Sequence, residues 1–481
     1  MVRKKIKYLY LPLLLLSCTH ETKKPYGDYP SEIGNIILNR CVTSGCHNQT
    51  SYAGAGGLNL STWDDLFNGG YGGAAVIPYR PDFSTLCYYT NTDSSLGITL
   101  SPTMPEAGAP LSKNDYLILA GWIASGAPKA NKQVAFTGNP KRKKMYVINR
   151  LCDVVTVIDE TTFLQMRYID VGNKSAPEFP QCILVAPDKQ YWYTSFFATS
   201  SIIQQFDAVT DRHVADIQLG NGSWHSFAIT GDSRYGYFAD NSHAGRIVYA
   251  DIIKNTLLAN YDMNGGMRYP LGMALNEQAH KLYCGTNTGN FIYSIDISNP
   301  SDAKIKQVAI DGTGIVLTNS SLDPTILQSG EDNLCYIACQ KTHDIRVVDM
   351  SNDQMIATIP LRAPAQAMTY SPALNRLFIA CPDDTLSFPG NRGSIVVLDA
   401  QNHSIIKYIN SGYEPYSITL DDENGIAIVT NANLHISGPA PHHVSKCGGR
   451  NGSVSFINIH TLELTGKKSE VAVFPYGTAI R

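Results

Sequence analysis

The residue types with the most chemistry in this chain of 481 residues sit in the run Cys41-Val-Thr-Ser-Gly-Cys46-His47, followed further on by Met104-Pro105 in a Gly/Pro-rich loop. Two thiols, an adjoining imidazole and a later thioether are the donors that one c-type haem requires. The thiols add to the two porphyrin vinyl groups, the imidazole takes one face of the iron and the thioether the other. On this reading Cys41 and Cys46 are the attachment points, His47 the proximal ligand and Met104 the distal one. Four residues separate the cysteines, where the usual attachment motif has two. Other chemistry uses the same groups: a local Cys41–Cys46 disulfide with His47 as a loop residue, or zinc, for which no fourth ligand lies nearby in sequence. Met104 has an alternative as core filler.

Helices must position these groups. Ile33, Ile36, Ile37 and Leu38 recur at nearly helical spacing, so residues 31–39 are expected to form a short helix that ends at the first thiol. Ser112, with Asp115 three residues on, reads as an N-cap opening a second helix that Gly126 stops; Leu119, Trp122 and Ile123 share one apolar face suited to covering a porphyrin. Together with Gly56-Gly57-Leu58-Asn-Leu60, Val76-Ile77-Pro78 and the 111–127 ending, the stretch resembles a cytochrome c domain of bacterial envelope lipoproteins. The resemblance covers roughly residues 30–128 and implies the same four haem residues.

The amino terminus carries Arg3, Lys4, Lys5 and Lys7, then an apolar run over 8–16 that is too short to span a bilayer, which reads as a secretory signal. Leu15-Leu16-Ser17-Cys18 resembles a lipobox, implying cleavage after residue 17 and a lipid on Cys18. Residues 18–29 are then a lipidated, polar tether, and the expected location is the bacterial envelope, periplasmic or outer-membrane, held by the lipid. Removing the signal leaves 34 basic against 41 acidic residues, a net charge of −7 in place of −3, which argues against nucleic acid as a partner. The basic cluster 141–144 lies in a linker over 129–143 and its edge, and reads as solvated.

From residue 144 helical periodicity gives way to a repeat. A strand ending in Asp or Asn recurs seven times, at Asp159, Asp207, Asp251, Asp296, Asp349, Asp399 and Asn458. A proline opens another strand in most units, at Pro180, Pro270, Pro324, Pro364, Pro415 and Pro475, with Trp224 in its place once. The first unit lacks this strand and the chain ends on an orphan copy, so the carboxyl-terminal strand is expected to complete the first blade of a closed ring. Tyr146-Val-Ile-Asn149 and Ile428-Val-Thr-Asn431 are similar to the YVTN class of seven-bladed propellers. The fold expected is therefore mainly β: a seven-bladed propeller over 144–481 preceded by a small α-helical cytochrome c domain.

The repeat phase sorts loops by face. If the proline strand lies innermost, Cys152, His243, Cys339, His343, Cys381, His435, His442, His443 and Cys447 belong to loops of one face, with His225 and Cys182 near the channel mouth there and the long insertion 432–452 as a lid. His213, His280, His403 and His460 fall in outer strands or on the other face. Metal, a second haem or copper on that face is one expectation; inter-blade disulfides, Cys381 with Cys447 or Cys152 with Cys182, are the other. Cys284, Cys335 and Cys87 read as buried thiols. The function expected is single-electron transfer through one covalent haem, with the propeller docking a redox partner protein; a haem-dependent oxidoreductase with a second cofactor on the His-rich face is the alternative.

Overall fold

Residues 26–173, 177–197, 202–318 and 322–481 are described by the computed structural model; the expected signal and the expected lipid site Cys18 lie outside them. Seven four-stranded antiparallel sheets follow one another around a ring. The strand Pro475–Ile480 pairs with Lys144–Asn149, with Met145 opposite Ile480 and Asn149 opposite Pro475, so the chain's last strand is the innermost strand of blade 1. Ring closure by the orphan repeat is thus as the sequence indicated.

The repeated Asp or Asn has a local cause. At all seven positions its side-chain oxygen accepts backbone N–H bonds from the turn that follows, as with Thr162 on Asp159, Val209 and Thr210 on Asp207, and His460 and Thr461 on Asn458. Asp and Asn mimic a turn backbone in this way and fix the hairpin to the outermost strand. Packing then explains the composition. An apolar cluster fills each gap between neighbouring blades, from Tyr146, Trp192 and Phe206 between blades 1 and 2 to Met145, Ile428 and Phe456 across the closing seam. Each sheet is therefore covered on both faces, and its second strand is buried along its length rather than at alternate residues, as in Lys144–Asn149.

The amino-terminal unit contains four helices: α1 (Ser31–Arg40), α2 (Trp63–Leu66), α3 (Thr85–Thr90) and α4 (Lys113–Ala124). Ser112 caps α4 by accepting the Asp115 N–H, and Gly126 ends it at φ +103°, where a side chain would be strained. Leu119, Trp122 and Ile123 are buried with Ile33, Ile37 and Trp63 in one core. The packed unit includes residues before the expected boundary at residue 30. Tyr29 is buried and donates to the Leu60 and Thr62 carbonyls, so the last residues of the expected tether belong to this unit.

The unit docks at the seam between blades 1 and 7. Phe83 stacks on Tyr168 at 4.2 Å, and Arg80 donates to the Tyr168 carbonyl and pairs with Asp170 at 3.2 Å. The basic run 141–144 is not a solvated linker. Arg142 pairs with Asp159, Lys143 with Asp421 and Glu423, and Lys144 is buried against Asp211 at 2.7 Å. Arg142 is captured by the turn acid of its own blade and Lys144 by the next blade, while the Lys143 pairs cross the closing seam to blade 7.

Candidate functional site

The loop after α1 is closed by its own backbone: His47 N–H donates to the Cys41 carbonyl and Cys46 N–H to that of Thr43. Asn48 braces it from both sides, donating to the Thr43 carbonyl at 2.7 Å and accepting the Thr50 and Ser51 N–H groups. Cys41, Cys46 and His47 are thereby held in one compact turn. The two cysteines are both free thiols, so the local disulfide does not form. Cys41 is buried, and burial pushes its thiol up to about 11 against the nearby Arg40 charge. His47 is half-buried, and its Nδ1 lies 2.9 Å from the Leu58 carbonyl oxygen. A carbonyl only accepts, so Nδ1 carries the proton and Nε2 presents its lone pair.

That carbonyl was not assigned a role from the sequence. Its signal was the glycine pair: Gly56 and Gly57 adopt φ of +68° and +72°, turning the chain so that Leu58 meets the imidazole while Leu60 N–H bonds the His47 carbonyl. Met104 lies in the loop after α3, half-buried, its N–H donating to the Tyr89 carbonyl at 2.7 Å. Arg40, the last residue of α1, donates to the Ala109 and Pro110 carbonyls, so the thiol loop and the methionine loop are tied to each other.

The propeller face differs from expectation in three respects. Its disulfide joins Cys152 to Cys447, and neither Cys381–Cys447 nor Cys152–Cys182 forms. The insertion of blade 7 reaches forward across the closing seam to blade 1, a neighbour 295 residues away in sequence but adjacent in the ring. Cys339 and Cys381 are the buried last residues of strands rather than loop thiols, while Cys182 lines the channel; Cys284, Cys335 and Cys87 are buried thiols as read.

The histidines are on the expected face but are not gathered. His225 lies against Phe197, with Nε2 3.2 Å from that residue's carbonyl, and burial lowers its pKa. His243 meets the Tyr269 ring edge-on, His343 occupies a turn at φ +54°, and His435 bonds Ser437. Among the described residues no three His, Cys, Asp or Glu side chains form a set able to hold a metal ion. His280 and His403 are positive-φ turn residues, and His213 and His460 lie in an outermost strand and a turn, as the repeat phase indicated.

The insertion contacts the small unit instead of lying over the channel alone. Lys446 pairs with Asp82 at 2.6 Å, the Tyr89 hydroxyl reaches the His442 carbonyl, and His443 lies 6.0 Å from the Tyr88 ring and 3.3 Å from Glu470. Burial is the largest influence on Asp82 and raises its pKa, but Arg80 and Lys446 together outweigh it and hold the carboxyl at about 2.

No protein-family model matches the chain. The uncharacterized protein YncE of Salmonella typhi and that of Salmonella typhimurium are each 27% identical over 150 residues, which is 31% of this chain and 38% of theirs. The match thus spans well under half of either relative. A functionally unknown protein from Desulfotomaculum acetoxidans superposes with a TM-score of 0.52 at 12% identity, covering 70% of this chain and 98% of its own. The chain is a seven-bladed β-propeller preceded by a small helical unit, and part of it is similar in sequence to YncE.

Proposed function

We propose that the helical unit is a cytochrome c domain carrying one haem c on Cys41 and Cys46, with His47 and Met104 as axial ligands, and that the chain passes single electrons in the bacterial envelope, anchored by lipid on Cys18. The observation that carries this reading is the 2.9 Å bond from His47 Nδ1 to the Leu58 carbonyl. It fixes the tautomer and ring orientation and makes Nε2 the better electron-pair donor, as a carbonyl on the far ring nitrogen does for an imidazole that binds iron. When bound, haem supplies reversible one-electron chemistry at its iron.

The chain's own residues do the rest. Cys41 and Cys46 stand free for thioether formation within a turn braced by Asn48. Arg40 and Tyr89 hold the Met104 loop from two sides. The propeller serves as the platform that docks a redox partner protein, with Lys446, Asp82 and the disulfide fixing the helical unit to it. The oxidoreductase alternative draws no support from the separate placement of His225, His243, His343, His435, His442 and His443. In the purified ferric protein the weak far-red band of sulfur-ligated haem is expected, and Met104→Ala is expected to abolish it; persistence of the band in that variant removes Met104 from the ligand role.

A further inference from the structure

The closing seam between blades 7 and 1 is fastened differently on its two faces. Successive turns of an antiparallel blade lie at opposite ends of its strands. Cys152, between the second and third strands of blade 1, is therefore on one face, and Glu160, between the third and fourth, on the other. The Cys152–Cys447 disulfide staples the first face. On the second face, two carboxylates meet.

One amide brings them together. Asn424, in the turn after Pro415–Asp421 of blade 7, donates through Nδ2 to Glu160 Oε1 at 2.6 Å and to Asp421 Oδ2 at 2.9 Å, while its backbone N–H donates to Asp421 Oδ1 at 3.1 Å. Both acids thus lie within reach of a single nitrogen. Glu160 is 6% exposed, and its Oε2 is buried with no donor from any other group. Two ionised carboxylates so placed repel each other, and one proton held between them removes the repulsion. Burial is the largest influence on Glu160 and the Asp421 carboxyl adds to it, so that against the opposing pulls of Asn424 and Lys143 its pKa is pushed up to about 7. Asp421 is held below its ordinary value, because its bonds to Glu160, Asn424 and Lys143 outweigh burial.

The surrounding charges supply no second counter-ion. Lys143 lies 3.3 Å from Asp421 but 2.8 Å from Glu423, so it serves blade 7. Arg142 pairs with Asp159, Asp422 bonds Ser371 of blade 6, and Arg481 donates to the Arg142 and Lys189 carbonyls. Lys141 is exposed, and the His460 ring lies against Gly425 at the Asn424 turn. Beside the pair is a cavity of about 400 Å³, walled by Glu160, Thr161, Asn424 and, from the linker, Asn139 and Lys143. An ionised Glu160 has room there to leave Asp421 and be hydrated.

We propose that Glu160 and Asp421 form a proton-operated latch on the closing seam: with one shared proton they bond blade 1 to blade 7, and release of that proton to solvent parts the two turns on this face while the disulfide holds the other. Once parted, Glu160 is solvated and ionises near its ordinary value of 4.5. A carboxyl whose pKa is raised in the closed form stabilises that form fully below the ordinary value, and the contribution is lost as the pH rises to about 7.

Hydrogen exchange of the full chain, corrected for the intrinsic pH dependence of amide exchange, reads the opening directly. Between about pH 5 and 7 the opening equilibrium of 160–163 and 422–426 is expected to grow by about tenfold per pH unit at most and to level off above that range. Residues 150–154, beside the disulfide, are expected to stay constant. Glu160→Gln, whose amide still donates to Asp421 and accepts from Asn424, is expected to abolish the slope, Asp421→Asn to reduce the total change, and His460→Gln to leave it intact. A flat profile in the parent overturns the proposal, as does the same slope in Glu160→Gln or its loss in His460→Gln. If Glu160→Gln fails to fold, Asp421→Asn decides, an unchanged profile overturning the latch.

Discussion

Cys447, in the insertion of blade 7, is disulfide-bonded to Cys152 in a loop of blade 1, with Cα atoms 5.3 Å apart. The ring is therefore closed at two levels, by the carboxyl-terminal strand near the axis and by this covalent bridge at the loop face. The bridge also holds Lys446 and His443 against Asp82 and Tyr88 of the helical unit. Cys447→Ser is expected to lower the free energy of unfolding by about 2–4 kcal/mol. Chemical denaturation measures this, and hydrogen exchange is expected to show the largest loss of protection in the insertion and in 82–89.

Deleting 475–481 removes the innermost strand of blade 1 and exposes the edge of Lys144–Asn149 together with the flanks of blades 2 and 7. An open ring presents unpaired strand edges. The truncated chain is expected to lose cooperative unfolding and to be cleaved rapidly by protease, whereas substituting the exposed Leu464 in an outermost strand by Ser leaves both unchanged.

Lys144 and Asp211 test the cost of a buried ion pair. For each of them burial is the largest influence, depressing the lysine pKa and raising that of the aspartate, while the partner's charge acts the other way. Removing one member leaves the other charge uncompensated, so Lys144→Met alone is expected to cost about 3–5 kcal/mol. The double variant Lys144→Met with Asp211→Leu is expected to recover most of that loss, although the Tyr146 hydroxyl then lacks its bond to Asp211.

Protonation of His443 is disfavoured by folding: burial lowers its pKa, the Glu470 charge raises it, and His442 lowers it further. A depressed folded pKa means that the unfolded chain binds the proton more readily, so the stabilising contribution is complete above the ordinary histidine value near 6.5 and is lost as pH falls below it. Stability followed from pH 8 to pH 5 is expected to decline more in the parent than in His443→Gln. Equal slopes in the two proteins exclude His443 as a cause.

Much of this was legible in the chain. The seven strands ending in Asp or Asn marked the blade count because each of these side chains caps its own turn, a local interaction that leaves a local mark. Ring closure was readable because one strand was missing at the start and present at the end. The Cys152–Cys447 bridge, the Lys446–Asp82 pair and the pairs of Lys143 with Asp421 and Glu423 were not, because each joins segments that only the closed fold makes neighbours. Within the candidate site, Cys41, Cys46 and His47 announce themselves by type and spacing, whereas the Leu58 carbonyl that orients His47 is a backbone atom, and residue identity marks it only through Gly56 and Gly57.

The central claim is tested most directly by producing the full chain in a bacterial host that matures c-type haem and measuring covalently bound haem per polypeptide under denaturing conditions. One haem per chain is expected, falling to none when Cys41 and Cys46 are both replaced by Ala. A folded protein with no covalent haem, made where a control cytochrome c is fully matured, contradicts the account.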